Sequence, residues 1–293
     1  MIVLLTVGLF ACTPDNDLAA IEKDAIAVVN GDFDDIQSTL LRHEIGSSSY
    51  NGYIAQSTTW VGDGAPQRDD PGPNVEQLFT QPAGDQQHMQ IELYNAVFVN
   101  SGTRGLNAFQ YNYSLSTDDS LLQDPEAIQN VCDYVEANGS LFVTDWAYDL
   151  VEACWPDKIE FLNDDEVVDD AQVGVAGELL ADVPDEALAT TLESTVANVT
   201  FNYSAFTVMD SVADDVEVLL SGDVTYDPGG GDEMKVQKGV PLMVRFPVSK
   251  SGQVTFSSFH LYPQNPALAD AVLFRGMEGL EAGAGGKSDE ALQ

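Results

Sequence analysis

The chain has 293 residues, 44% of them hydrophobic and 9% aromatic, a mix able to close a sizeable globular core. Asp and Glu number 48 against 11 Lys and Arg, a formal charge of -37. So negative a surface repels phosphate backbones and argues against nucleic acid as a partner. The acidity has three readings: a solvated surface suited to a salty medium, carboxylate clusters for divalent cations, or attraction to a basic partner.

The first residues, Ile2–Ala11 (IVLLTVGLFA), carry no charge. A spanning helix needs about 20 apolar residues, so the run is read as the apolar core of a signal peptide. It ends Leu9-Phe10-Ala11-Cys12, which resembles the lipobox of bacterial lipoproteins. The resemblance implies a leader over 1–11, acylation of Cys12 and a polar tether over 12–23. The membrane would then be a partner through lipid alone, since several acyl chains anchor stably. Thr13 after the cysteine resembles the outer-membrane sorting pattern, which implies a cell-envelope location facing periplasm or surface. The pattern is broken at one point: no Lys or Arg stands between Met1 and the apolar run. Either Met1 is not the true start, or the match is accidental and IVLLTVGLF is a buried first strand.

Residues 24–278 read as one α/β domain. Asp24–Val29 is a buried-strand run, Gly31 a turn, and Phe33–Ile45 has apolar residues at helical spacing. Residues 46–90 are loop-like, with a strand candidate at Tyr53–Trp60. Ala96–Val99 is a strand ending in Asn100-Ser101-Gly102. Asp124 as N-cap and Pro125 in the first turn start a helix with the apolar face Ile128, Val131, Cys132 and Val135. Asn138-Gly139 ends it. Ser140–Thr144 follows as a buried strand, and Asp145–Cys154 continues as helix. This alternation predicts a mostly parallel sheet with flanking helices. From Ala197 onward the pattern is β, through NVTFNY, FTVMD, EVLLSGDVTY, PLMVRFPV and QVTFSSFH, adding strands in the second half. Residues 279–293 are low-complexity and read as a disordered tail.

Cys132 and Cys154 are open to two readings: a disulfide, expected in an oxidising compartment, or two core thiols. Asn163–Asp170 (NDDEVVDD) lacks the ligand spacing and glycine of an EF-hand loop and reads as a solvated acidic stretch. The N-x-S/T triplets at Asn112, Asn138, Asn198 and Asn202 matter only where a glycosylation machinery exists. Trp60, Trp146 and Trp155 with Tyr148 read as core, or as a sugar-stacking surface.

In an open α/β sheet, ligands bind at the carboxyl ends of strands. The polar residues there are Gly31 and Asp32 after the first strand, then Asn100, Ser101 and Gly102. Thr144-Asp145-Trp146 and Ser257-Ser258-Phe259-His260 complete the rim. The stretches AVVNGDFDDIQSTLL, ANGSLFVTDWAYDLVEA and SGQVTFSSFHLYPQ resemble the class I glutamine amidotransferase-like (flavodoxin-like) superfamily. In its enzymes a strand-to-helix elbow carries a nucleophilic Cys, and a late strand ends in a phrase like FHPE. The elbow here is Thr144-Asp145-Trp146, without a Cys. Phe259-His260 matches the His, but Leu261-Tyr262-Pro263-Gln264 follows, without the Glu. The resemblance therefore implies the frame of that superfamily without its thiol chemistry. The expected function is a lipid-anchored, extracytoplasmic binding or interaction protein that recognises a small molecule, a glycan or another protein, with no cofactor or metal. The alternative is a divergent hydrolase or metal-dependent enzyme using Asp145, His260 and Ser101. Asp145 equally suits the role of cap for the helix that follows it.

Overall fold

A computed structural model describes residues 26–52, 73–84, 86–106, 120–163, 170–203 and 206–278. Cys12 with its leader and tether, the strand candidate at 53–60 with Trp60, Asn112, most of the 163–170 stretch and the 279–293 tail lie outside them.

One mixed sheet of nine strands organises the chain. Five strands run parallel: β1 (Ile26–Val29), β2 (Ser48–Tyr50), β3 (Ala96–Val99), β4 (Ser140–Thr144) and β11 (Gln253–Ser257), in the order β2-β1-β3-β4-β11. Four antiparallel strands extend it from β11: β10 (Lys235–Pro247), β9 (Glu217–Tyr226), β6 (Gly177–Asp182) and β7 (Val196–Phe201). A separate antiparallel pair joins β5 (Ile159–Phe161) to β8 (Met209–Val212). The α/β architecture with added strands in the second half is thus the one expected.

The inner parallel strands β1 and β3 are apolar throughout because helices cover both faces. Ala27, Val29, Val97, Val99, Leu141 and Val143 point into one layer, with α2 (Val75–Thr80), α3 (Pro125–Glu136) and α4 (Tyr148–Cys154). Ile26, Val28, Ala96, Phe98 and Phe142 point into the other, with α1 (Ile36–Arg42) and α6 (Pro266–Met277). The inner faces of β6, β7, β9 and β10 and the short helix α5 (Glu186–Leu192) extend this second layer.

Local chemistry sets the boundaries. The Asp124 carboxylate accepts from the N–H groups of Glu126 and Ala127, Pro125 opens α3, and Asn138 at φ 81 ends it. The predicted helix over 33–45 contracts to Ile36–Arg42, because Asp35 caps it and Asp34 turns to another partner. β2 and α2 fall within residues 46–90, which read as loop-like in the sequence. A disulfide joins Cys132 in α3 to Cys154 at the end of α4.

The free edge of β7 is covered by side chains. Gln264 receives the Thr200 N–H at 2.9 Å and donates to the Thr200 carbonyl at 2.8 Å. The Ser194 hydroxyl does the same for Val196, accepting at 3.1 Å and donating at 2.7 Å. Such covers blunt an edge that would otherwise offer itself to another strand.

Candidate functional site

The end of β4 turns straight into a helical turn, and the residue that makes the turn is strained. Asp145 has φ 43, in the left-handed region that non-glycine residues seldom occupy. Its side chain is fully buried, with both oxygens engaged. Oδ1 accepts from the Thr207 N–H at 2.8 Å and the Thr207 hydroxyl at 3.3 Å. Oδ2 faces Nε2 of His260 at 3.0 Å and accepts from the Ser101 hydroxyl at 3.5 Å. The reading of Asp145 as a helix cap fails: no side chain caps that turn or α4, because the carboxylate is spent on His260 and Thr207.

His260 follows β11, the strand beside β4, so parallel pairing brings imidazole and carboxylate to one point. Its Nδ1 faces Oδ1 of Asn202 at 3.1 Å. Both ring nitrogens therefore face acceptors, the arrangement of a doubly protonated imidazolium. Burial works against that charge, but the hydrogen bond and charge of Asp145, with the charge of Asp34, outweigh it and raise the pKa above the ordinary value.

Asp34 is the third buried ionisable group. It accepts from the N–H groups of Leu261 and Tyr262, both at 3.1 Å, and from Asp35. Burial raises its pKa despite His260 and these donors. Asp34 and Thr207 did not figure among the residues chosen from sequence, and Asn202 figured only as the start of an N-x-S/T triplet. Asp34 is one of three acids in the DFDD run, and nothing in that run marks the one that turns inward.

Around β1 and β3 the other rim residues meet through backbone. A Cβ on Gly31 would lie 2.0 Å from the Ser101 carbonyl oxygen, so only glycine fits. Gly102 has φ 80 and lies against the Phe33 ring. Asp32 pairs with Arg104 at 2.6 Å. Asn100 is buried, and its side-chain oxygen has no hydrogen-bond partner. The Ser101 N–H donates to the Thr144 hydroxyl at 2.9 Å, and the Ser101 hydroxyl accepts from the Trp146 N–H at 3.4 Å.

The structure thus unites Ser101, Asp145 and His260 and places Gly31, Asp32, Asn100 and Gly102 alongside. Trp146 does not line a cleft: it is buried beside Tyr148. Tyr148 is itself in the core, and Trp155 packs on Phe246, so these aromatics form no sugar-stacking surface. A shallow depression walled by Phe201, Tyr203, Phe206 and His260 lies beside the pair.

This geometry limits the chemistry. Thiol catalysis needs an activated thiolate, and the two cysteines of the described residues are bonded to each other. Gln264, at the end of FHLYPQ, does not replace the Glu of the enzyme phrase at the ring. Its amide serves the β7 edge and donates to the His260 carbonyl at 2.8 Å. Among the described residues no group of three His, Cys, Asp or Glu side chains is placed to hold a metal ion.

No family model matches the sequence, and no curated protein does. Among solved structures, two cytoplasmic proteins from Salmonella typhimurium align over 86% of this chain, and over 98% and 96% of their own. Their identities are 11% and 13%, and both TM-scores are 0.45. A Thermoplasma acidophilum protein assigned as one of the subunits of GMP synthase aligns over 88% of this chain and 94% of its own, at 10% identity and TM-score 0.42. Likenesses at this level assign neither family nor activity.

Proposed function

We propose that this chain is an extracytoplasmic binding or interaction protein, anchored through lipid on Cys12, whose amidotransferase-like frame carries no catalytic nucleophile. The observation behind the second half is the elbow. Where the enzymes of the resembling superfamily place a thiol, this chain places a carboxylate that is buried and engaged by His260, Ser101 and Thr207. A group so held presents neither lone pair nor charge to a substrate. The charge of -37 favours a neutral, basic or cationic partner, and the cell envelope is the expected location. The lipobox-like Leu9-Phe10-Ala11-Cys12 supports the anchor.

Separate experiments test the two halves. Cys12→Ala is expected to abolish metabolic labelling with a fatty acid, and undiminished labelling would remove the anchor. The purified chain is expected to release no ammonia from glutamine. In a thermal-shift screen against divalent metals, sugars and amides it should be stabilised by one class, because ligands that bind only the folded state raise its stability. Ammonia release would overturn the non-catalytic reading.

The 3.0 Å contact of Asp145 with His260 supports a second reading, a divergent hydrolase. It requires hydrolysis of an ester or amide reporter that is lost in both Asp145→Asn and His260→Gln variants that still fold.

A further inference from the structure

Three buried ionisable side chains gather around the carboxyl ends of the strands, and each is delivered by a different part of the chain. Asp34 follows β1, Asp145 follows β4 and His260 follows β11. Each is at most 6% exposed. Asp34 holds the backbone just beyond the imidazole, through Leu261 and Tyr262. Asp145 holds the ring itself and Thr207, while the ring holds Asn202. Asn202 and Thr207 lie between the sheet-edge strand β7 and β8, so the cluster pins the far, antiparallel side of the molecule to the parallel strands.

We propose that Asp34, Asp145 and His260 form a proton-operated joint between the two halves of the sheet, closed while the imidazole carries its proton and loosened when the proton leaves. The charge count explains why. One buried cation stands among two buried acids; without it, Asp145 loses the charge opposite its Oδ2, and both acids lie in a region that water does not reach. Breaking one partner of a buried pair leaves the other charge uncompensated, which is the costly outcome. Among the described residues, Tyr203 also meets the imidazole, its ring edge-on, and it brings no cation. Arg104 on the same rim is paired with Asp32.

The direction with pH follows from linkage. His260 keeps its proton in the fold above the ordinary imidazole value, so its contribution is complete below about pH 6.5 and is lost as pH rises through the raised value. Asp34 is also raised, so its ionisation opposes the fold in the same sense. The joint therefore loosens towards alkaline pH. Asp185 and Asp215, which paired Arg275 and Lys158 hold below the ordinary carboxylate value, oppose this only in acid.

The test is urea unfolding of the full chain from pH 5.5 to 9, in low salt and in 1 M NaCl. Wild type is expected to lose stability across the upper part of this range, and His260→Gln to lose less. The difference between them reaches at most about tenfold in the folding constant per pH unit, the limit for one proton. It should persist in 1 M NaCl, which screens the exposed acidic surface but hardly touches buried groups. Equal slopes for wild type and His260→Gln would overturn the proposal, as would a difference that salt removes. Should His260→Gln fail to fold, amide hydrogen exchange on wild type decides. Protection at Leu261, Tyr262 and Thr207 should fall from pH 6 to 9 relative to amides of β3 and β4. Protection that stays in step with those strands would overturn it.

Discussion

The parallel and antiparallel halves of the sheet solve the same burial problem differently. Every residue of β1, β3 and β4 is buried, because helices lie on both faces. In β9 the later residues alternate, Gly222, Val224 and Tyr226 inside and Asp223 and Thr225 outside, because one face meets the core and the other meets water. β6 and β7 carry exposed Glu178, Leu180, Asp182 and Val196 on their outward faces. The consequence for function is positional. Only the parallel half gathers strand ends at one rim, and the polar cluster sits where that half meets the chain returning from the antiparallel half. The elbow here links the two halves, with Asp145 holding Thr207 and His260 holding Asn202.

The comparison can be broken most strongly at Asp145. Asp145→Ala removes the shared acceptor of Ser101, Thr207 and His260 and is expected to cost about 3–5 kcal/mol in urea unfolding, the range for breaking a buried pair. A loss comparable to that of an exposed acid would separate the halves energetically. Next is the disulfide, which belongs wholly to the parallel half. Replacing Cys132 and Cys154 by Ser opens a link across a sequence separation of 22 and is expected to cost about 3 kcal/mol by chemical unfolding. It should leave the pH dependence assigned to His260 unchanged. The smallest effect belongs to the antiparallel edge. Gln264→Ala uncovers Thr200 and is expected to cost about 1–2 kcal/mol, as hydrogen bonds of this kind do. Sedimentation should also reveal greater self-association, since the β7 edge loses one of its two covers.

How far the sequence anticipated this follows the same division. Asp124-Pro125 to Asn138-Gly139, and the strand Ser140–Thr144 behind it, are legible because cap, proline and apolar face agree within one short segment. β1 and β3 are legible as continuous apolar runs. The strands after Ala197 are visible through alternation, but alternation names no partner, and the order β10-β9-β6-β7 depends on contacts far apart in the chain. The helix expected over 33–45 is shorter because Asp34 answers a distant backbone at 261–262. At the site, the meeting of Asp145 with His260 is foreseeable from two strand ends. That meeting leaves no room for the cap role, and Asn202 and Thr207 as partners are invisible without the return from β7. Trp146 looks like a rim residue only because it follows a strand; the turn at Asp145 carries it inward.

Asp145 and His260 act as one structural unit. A double-mutant cycle on urea stability with Asp145→Asn, His260→Gln and the double variant, at pH 6, tests it most directly. The second substitution is expected to add little once the first is made, with an interaction energy towards the upper part of the roughly 0.5–3 kcal/mol seen for contacting residues. Additive losses would mean that the two side chains stabilise the fold independently, and would contradict it.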